Sequence, residues 1–241
     1  PMTAETTSGL TSDLRVVSTE KLPTPDELAS QIPLTDTARE TILSGRSQVQ
    51  NILSGKDSRL LVVAGPCSVH DEKAALDYAD RLVKLADEVK DQICVVMRVY
   101  FEKPRTILGW KGLIYDPNLN GEISIKEGLE RARKILLAVN EKGLPAGAEF
   151  LDPIVPAYLA DLVTWSSIGA RTTESQTHRQ MASGLSMPVG FKNATSGSID
   201  IAVNGIRAAR ASQAFIGIDT SGQTSVVNTA GNSSAHLVLR G

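Results

Sequence analysis

The sequence predicts an α/β fold built on a parallel sheet that is buried on both faces. Short, nearly continuous apolar runs such as Leu60–Ala64 and Ile93–Val99 alternate with longer stretches of helical apolar spacing. The alternation holds from Arg59 to Ala211. Residues able to hold a ligand recur where the apolar runs stop, which is where sheets of this kind carry their sites. A (β/α) barrel and an open doubly wound sheet both satisfy these observations.

Residues 1–55 read as an N-terminal extension and lead-in helix, and residues 56–241 as the sheet-bearing domain. Residues 1–12 are rich in Thr, Ser and Glu and read as a loose arm. Leu14–Val17 reads as a short strand or an exposed contact segment, and Pro23, Pro25 and Pro33 interrupt regular structure. Thr35 caps a helix that runs to about Leu53, with Ile42, Val49, Ile52 and Leu53 on one face. After the strand Leu60–Ala64, helical spacing runs through Leu76, Ala79, Leu82, Leu85 and Val89. The strand Ile93–Val99 opens into a long loop, and a helix follows near residues 126–140. Strands are expected at Ala146–Leu151, Ile168–Arg171 and Pro188–Phe191, with helices at Ala157–Trp165, Thr177–Ser183 and Ile199–Ala211. Residues 214–228 then break the rhythm as a hairpin around Thr220–Gln223, and His236–Leu239 is one more apolar strand.

The charge balance excludes several classes of function. Apolar residues make up 41% of the 241-residue chain and charged residues 22%, with a net charge of −2, as expected of a globular domain with no surplus to draw it to nucleic acid or a membrane. The two cysteines, Cys67 and Cys94, have no paired spacing, which fits a reducing compartment. No run has the length of a membrane-spanning helix and no signal peptide is legible, so the expected location is cytoplasmic.

The predicted strand ends carry Cys67, then Arg98 with Lys103 and Arg105 beyond it, then Glu149, Arg171, Lys192 and Arg240. Any one of these marks where a strand leaves the core. Six ends in succession are different, because cations gathered at one end of a sheet repel one another and call for anions between them. Arg matches phosphate and carboxylate bidentately, so a small ligand with several negative charges is implied, or two such ligands together. Cys67, in a Gly-Pro-Cys-Ser turn, reads as a nucleophile, a metal ligand or an inert thiol. Lys192 reads as an anion ligand or a Schiff-base lysine. Cys94, Trp110 and Trp165 read as packing residues, His70 and His178 as solvated polar groups, and His236 as a satisfied structural histidine.

The motifs AGPCS, MRVYFEKPRT, GWKGLI-DP, GARTTESQ-HR, ASGLS-PVGFKN and LRG, in this order, resemble those of class I 3-deoxy-D-arabino-heptulosonate 7-phosphate (DAHP) synthases. The resemblance runs from about Asp13 to Gly241. It implies a (β/α)8 barrel with an N-terminal extension and an inserted hairpin, cut short after about six barrel strands. It also implies condensation of phosphoenolpyruvate with erythrose 4-phosphate, the first step of the shikimate pathway. By motif, Arg98, Arg171, Lys192 and Arg240 would hold the phosphate and carboxylate of phosphoenolpyruvate, with Glu149 orienting that site. Lys103 would face both substrates, Arg105 and Thr106 would bind the phosphate of erythrose 4-phosphate, and Cys67 would be a ligand to a divalent metal (Mn, Fe, Co or Zn). The catalytic set would be Lys103, Lys192 and Arg98.

The resemblance further implies a homodimer or homotetramer and an inhibitory aromatic amino acid bound near Pro156, Leu185, Ser186, Phe215 and Gly217. A glycine at 217 leaves room for a hydroxyl and favours tyrosine over phenylalanine. The family's remaining His, Glu and Asp metal ligands lie beyond the LRG motif. An alternative reading is therefore a non-catalytic homologue that binds phosphoenolpyruvate or completes its site with another chain.

Overall fold

The computed structural model describes residues 11–240; the rest of the predicted N-terminal arm lies outside them. Six strands form one parallel sheet: β1 (Leu60–Ala64), β2 (Ile93–Arg98), β3 (Ala146–Glu149), β4 (Trp165–Ile168), β5 (Val189–Lys192) and β8 (His236–Val238), in that spatial order. A separate antiparallel hairpin pairs β6 (Gln213–Ile218) with β7 (Thr224–Thr229). Each parallel crossover is a helix: α3 (Glu72–Val89), α4 (Ile125–Glu141), α5 (Val155–Leu159) with a following 3₁₀ turn, α6 (Gln176–Gly184) and α7 (Ile199–Arg210). Two helices precede the sheet, α1 (Pro25–Gln31) and α2 (Asp36–Leu53).

Of the two architectures open from the strand pattern, the sheet adopts barrel curvature. Leu61 and Val63 on β1 and Val238 on β8 pack in one apolar cluster with Val96 and Trp165, although β1 and β8 are the two edges of the sheet. A flat sheet would hold them five strand spacings apart, about 24 Å. The sheet therefore curls into the wall of a barrel that β1 and β8 do not close by pairing with each other. Val49 from α2 enters the same cluster and plugs the floor. The larger core lies outside the wall, where Leu129, Ile135, Leu136 and Val139 of α4 are buried with Met97, Ile168 and Phe191 of the strands.

Local chemistry explains the differences from the sequence-based expectation. Pro25 does not interrupt regular structure; it occupies the first turn of α1, where its missing N–H has no helical partner to lose. Thr24 and Glu27 complete a reciprocal capping box there. Trp165 does not end a helix but begins β4, three residues ahead of the expected strand start at Ile168, and its ring fills the barrel interior. Leu53 and Leu85 leave the apolar faces assigned to them and are exposed. Leu14–Val17 forms no strand and is exposed. No helix among the described residues is long and apolar enough to cross a membrane.

One buried cation ties the outer helices together. Arg133 of α4 is 1% exposed and pairs bidentately with Asp161 at 2.7 and 2.8 Å. Its Nε donates to the Ile32 carbonyl and Nη1 to the Tyr158 carbonyl. Arg133→Ala strands both carbonyls and leaves a void, and is expected to cost about 3 kcal/mol in urea unfolding. The exposed Arg39→Ala is expected to stay within about 0.5 kcal/mol of the wild type in the same measurement.

Candidate active site

The site forms where the parallel strands end. A cavity of about 550 Å³ is lined by Cys67, Arg98, Lys103, Arg105, Glu149, Arg171, Lys192 and Arg240, together with Tyr100, Glu102 and others. The structure thus brings the charged strand-end residues around a single space. Thr106 does not line it; it lies exposed in the loop after β2.

Backbone geometry fixes several of these side chains. Beyond β2 the chain stays extended, so Arg98, Tyr100 and Glu102 share one face and line the cavity, while Val99 and Phe101 enter the core. The Lys103 N–H donates to the Lys111 carbonyl and Arg105 Nε to the Trp110 carbonyl, which closes the loop that carries both cations. The turn after β1 is drawn inward because Arg98 Nη2 donates to the Cys67 carbonyl at 3.0 Å. Gly65 permits this approach, since a Cβ there would lie 2.5 Å from the Arg98 carbonyl oxygen. At the far edge, Asn193 accepts from the Arg240 N–H at 2.8 Å and so fixes the backbone that presents Arg240.

The interior is strongly cationic: Arg98, Lys103, Arg105, Arg171, Lys192 and Arg240 face two carboxylates, Glu149 and Glu102. Lys192 pairs with Glu149, both largely buried. Gly169 makes room for the pair, because a Cβ there would lie 2.9 Å from Glu149 Oε1. Lys103 Nζ donates to Cys67 Sγ at 3.2 Å, and this bond holds the thiol below its ordinary value.

Glu102 and Tyr100 were not singled out from the sequence, although both stand inside the MRVYFEKPRT motif. The missed signal was the period of two that puts them on the face of Arg98. Glu102 is 3% exposed and accepts the N–H groups of Leu151 and Asp152 at 3.0 Å each. His178, read from the sequence as solvated, is half-buried: its Nε2–H donates to the Leu151 carbonyl, and Nδ1 accepts from Ser175 Oγ. Glu102 and His178 thus hold the loop after β3 from two sides. His236 bridges Trp165 Nε1 and the Ser234 carbonyl as a structural group, and burial lowers its pKa.

A divalent metal does not fit the donors in hand. Among the described residues no three His, Cys, Asp or Glu side chains converge to hold an ion. Cys67 is partnered by a lysine ammonium, itself a cation.

A second cavity, about 470 Å³, lies between the loop after β3, α6 and the hairpin. Phe215 and Gly217 line it with Pro153, Ile154, Met181 and others. Pro156, Leu185 and Ser186 do not; Pro156 is buried in α5, and Leu185 and Ser186 follow α6.

An α/β barrel wall whose strand ends gather cations around one cavity defines the class of α/β-barrel proteins with a cationic site at the carboxyl ends of the strands. The chain belongs to the DAHP synthetase I family, whose profile matches residues 31–241. It is 53% identical over 229 residues to the Phe-sensitive phospho-2-dehydro-3-deoxyheptonate aldolase of Escherichia coli K12, covering 95% of this chain and 65% of that protein. It is 52% identical over 231 residues to the Trp-sensitive enzyme of the same strain, covering 96% and 66%. The solved phospho-2-dehydro-3-deoxyheptonate aldolase of Francisella tularensis superposes with a TM-score of 0.92 at 45% identity, over 94% of this chain and 66% of that one. The chain spans just under two thirds of the length of these relatives. Relatives sensitive to different amino acids match it almost equally, so overall identity does not select an effector.

Burial pushes the Glu102 carboxyl from 4.5 up to about 7; the Asp152 and Glu149 charges add to the rise, and the two N–H bonds oppose it. A raised carboxyl pKa means that the folded protein holds a proton the unfolded chain has released. The stability from this group is therefore full below about pH 4.5 and is lost as the pH rises towards about 7. Urea unfolding between about pH 5 and about pH 8 is expected to show this fall in the wild type and a flatter profile in Glu102→Gln. Parallel profiles would contradict it.

Proposed function

We propose that these residues form the phosphoenolpyruvate-binding portion of a DAHP synthase, which completes its catalytic site with further polypeptide. The observation that carries the reading is the single cavity ringed by Arg98, Arg171, Lys192 and Arg240 in a chain of this family. In the reaction, carbon 3 of phosphoenolpyruvate attacks the aldehyde of erythrose 4-phosphate, water adds at carbon 2 and phosphate leaves.

Arg98, Arg171, Lys192 and Arg240 serve as ligands for the phosphate and carboxylate of phosphoenolpyruvate. Glu149 orients Lys192 through their ion pair. Lys103 stands beside both substrates as the candidate for proton transfer. Arg105, which lines the cavity, takes the phosphate of erythrose 4-phosphate, and Thr106, exposed in the same loop and outside the cavity lining, is proposed to join it when the loop meets that phosphate. Cys67 is the one metal ligand assigned to these residues, and no step is assigned to an ion they do not enclose. The open barrel wall supports the need for further polypeptide, since among the described residues β1 and β8 both lack a second neighbour in the sheet. The cavity beside Phe215 and Gly217 is proposed to take an aromatic amino acid, preferentially tyrosine. Cytoplasmic location and assembly as a homodimer or homotetramer belong to the same proposal.

Calorimetric titration of the 241-residue chain with phosphoenolpyruvate is expected to show saturable binding. Arg98→Ala or Lys192→Ala is expected to weaken it at least about tenfold, the loss of one charge-assisted contact. A metal titration is expected to show no tight site, and mixing both substrates with the chain alone no turnover. Binding that survives both substitutions sinks the site assignment. Turnover by the chain alone sinks the division of the site between these residues and further polypeptide.

A further inference from the structure

A buried aromatic ring underlies the cations of the cavity. Tyr100 is 3% exposed, and the Arg98 guanidinium carbon lies 3.8 Å from its ring centroid. Lys192 Nζ lies 5.5 Å from the same centroid. Both separations fall within the range in which a ring face attracts a cation. The hydroxyl is engaged as well: Tyr100 Oη lies 2.9 Å from Ser167 Oγ, which lies 2.8 Å from Glu149 Oε2. An ionised carboxylate only accepts, so Ser167 gives its proton to Glu149 and Tyr100 gives its own to Ser167. Burial pushes the phenol up to about 12, so it retains that proton.

We infer that Tyr100 is a positioning residue for two cations of the cavity, its ring holding Arg98 and its hydroxyl, through Ser167 and Glu149, holding Lys192. This rests on the reading of the cavity as a phosphoenolpyruvate site. Arg98 and Lys192 arise on different strands and have long, flexible side chains. Without a support they would separate in the empty cavity, and a ligand would have to gather them at an entropic cost. The ring lies beneath the guanidinium while Nη2 is tied to the Cys67 carbonyl, so the group is oriented before a ligand arrives. The backbone adds a third link: the Tyr100 carbonyl accepts from the Val69 N–H at 2.8 Å, which fixes the turn carrying Cys67 against the same residue.

The test is a double-mutant cycle on phosphoenolpyruvate affinity, with melting temperature as the folding control. Tyr100→Leu is expected to weaken binding about tenfold, whereas Tyr100→Phe, which keeps the ring face, stays within about threefold of the wild type. In an Arg98→Ala background the Leu substitution is expected to lose most of its effect, because the cation on the ring is gone, and to keep only the loss of up to about threefold that Tyr100→Phe shows when the hydroxyl link to Lys192 is cut. Additive losses would mean that Tyr100 acts by general packing and would overturn the role. Should Tyr100→Leu fail to fold, pentafluorophenylalanine at position 100 replaces it in the cycle. It keeps the shape and apolarity of phenylalanine but inverts the charge of the ring face, so it must bind about tenfold more weakly than Tyr100→Phe. Equal affinity of those two variants overturns the inference. A wild-type chain that does not bind phosphoenolpyruvate removes the site reading and this role together; wild-type binding with Tyr100→Leu unimpaired removes this role alone.

Discussion

Mutual repulsion among like charges is the constraint on which the site depends. Six cations converge on one cavity, and flexible loops alone would let them drift apart. The fold answers with short, stiff attachments. Arg98 and Lys192 are the last residues of β2 and β5, held by ladder hydrogen bonds to their neighbours. Arg240 lies two residues past β8 and is fastened by Asn193. Each attachment lies at the carboxyl end of the sheet because parallel strands all point the same way.

The buried acids divide the remaining work by environment. Glu149 sits among cations and hydroxyls and is drawn into an ion pair. Glu102, three residues short of Arg105, faces backbone amides instead, beside Asp152 and Glu149. The same side chain chemistry thus serves as a counter-charge in one place and as a latch on a loop in the other.

Much of this architecture was legible in the sequence, for physical reasons that differ by element. β1 and β2 were readable because strands buried on both faces are uniformly apolar. The sheet's curvature was not, because barrels and open sheets share that pattern; the packing of Val63 and Val238, more than 170 positions apart, against one cluster around Trp165 decides it. The charged strand ends were visible as residue types, but their convergence is a property of the curled sheet. Tyr100 was hidden because an aromatic residue after a strand reads as ordinary packing. Pro25 misled because proline breaks a helix interior yet suits a first turn. His178 misled because one local hydrogen bond and one to a distant carbonyl, invisible in sequence, draw it inward.

The unpaired flanks of β1 and β8 have a consequence for handling the polypeptide. Among the described residues neither flank has a further strand to take up its amide and carbonyl groups, and Leu60 and Leu239 offer greasy side chains beside them. No charged residue or proline interrupts Leu60–Ala64 to discourage such docking. Handled without the polypeptide proposed to complete the wall, these residues are thus prone to indiscriminate strand-to-strand clumping, a hazard that a fully closed cylinder removes by leaving no border at all.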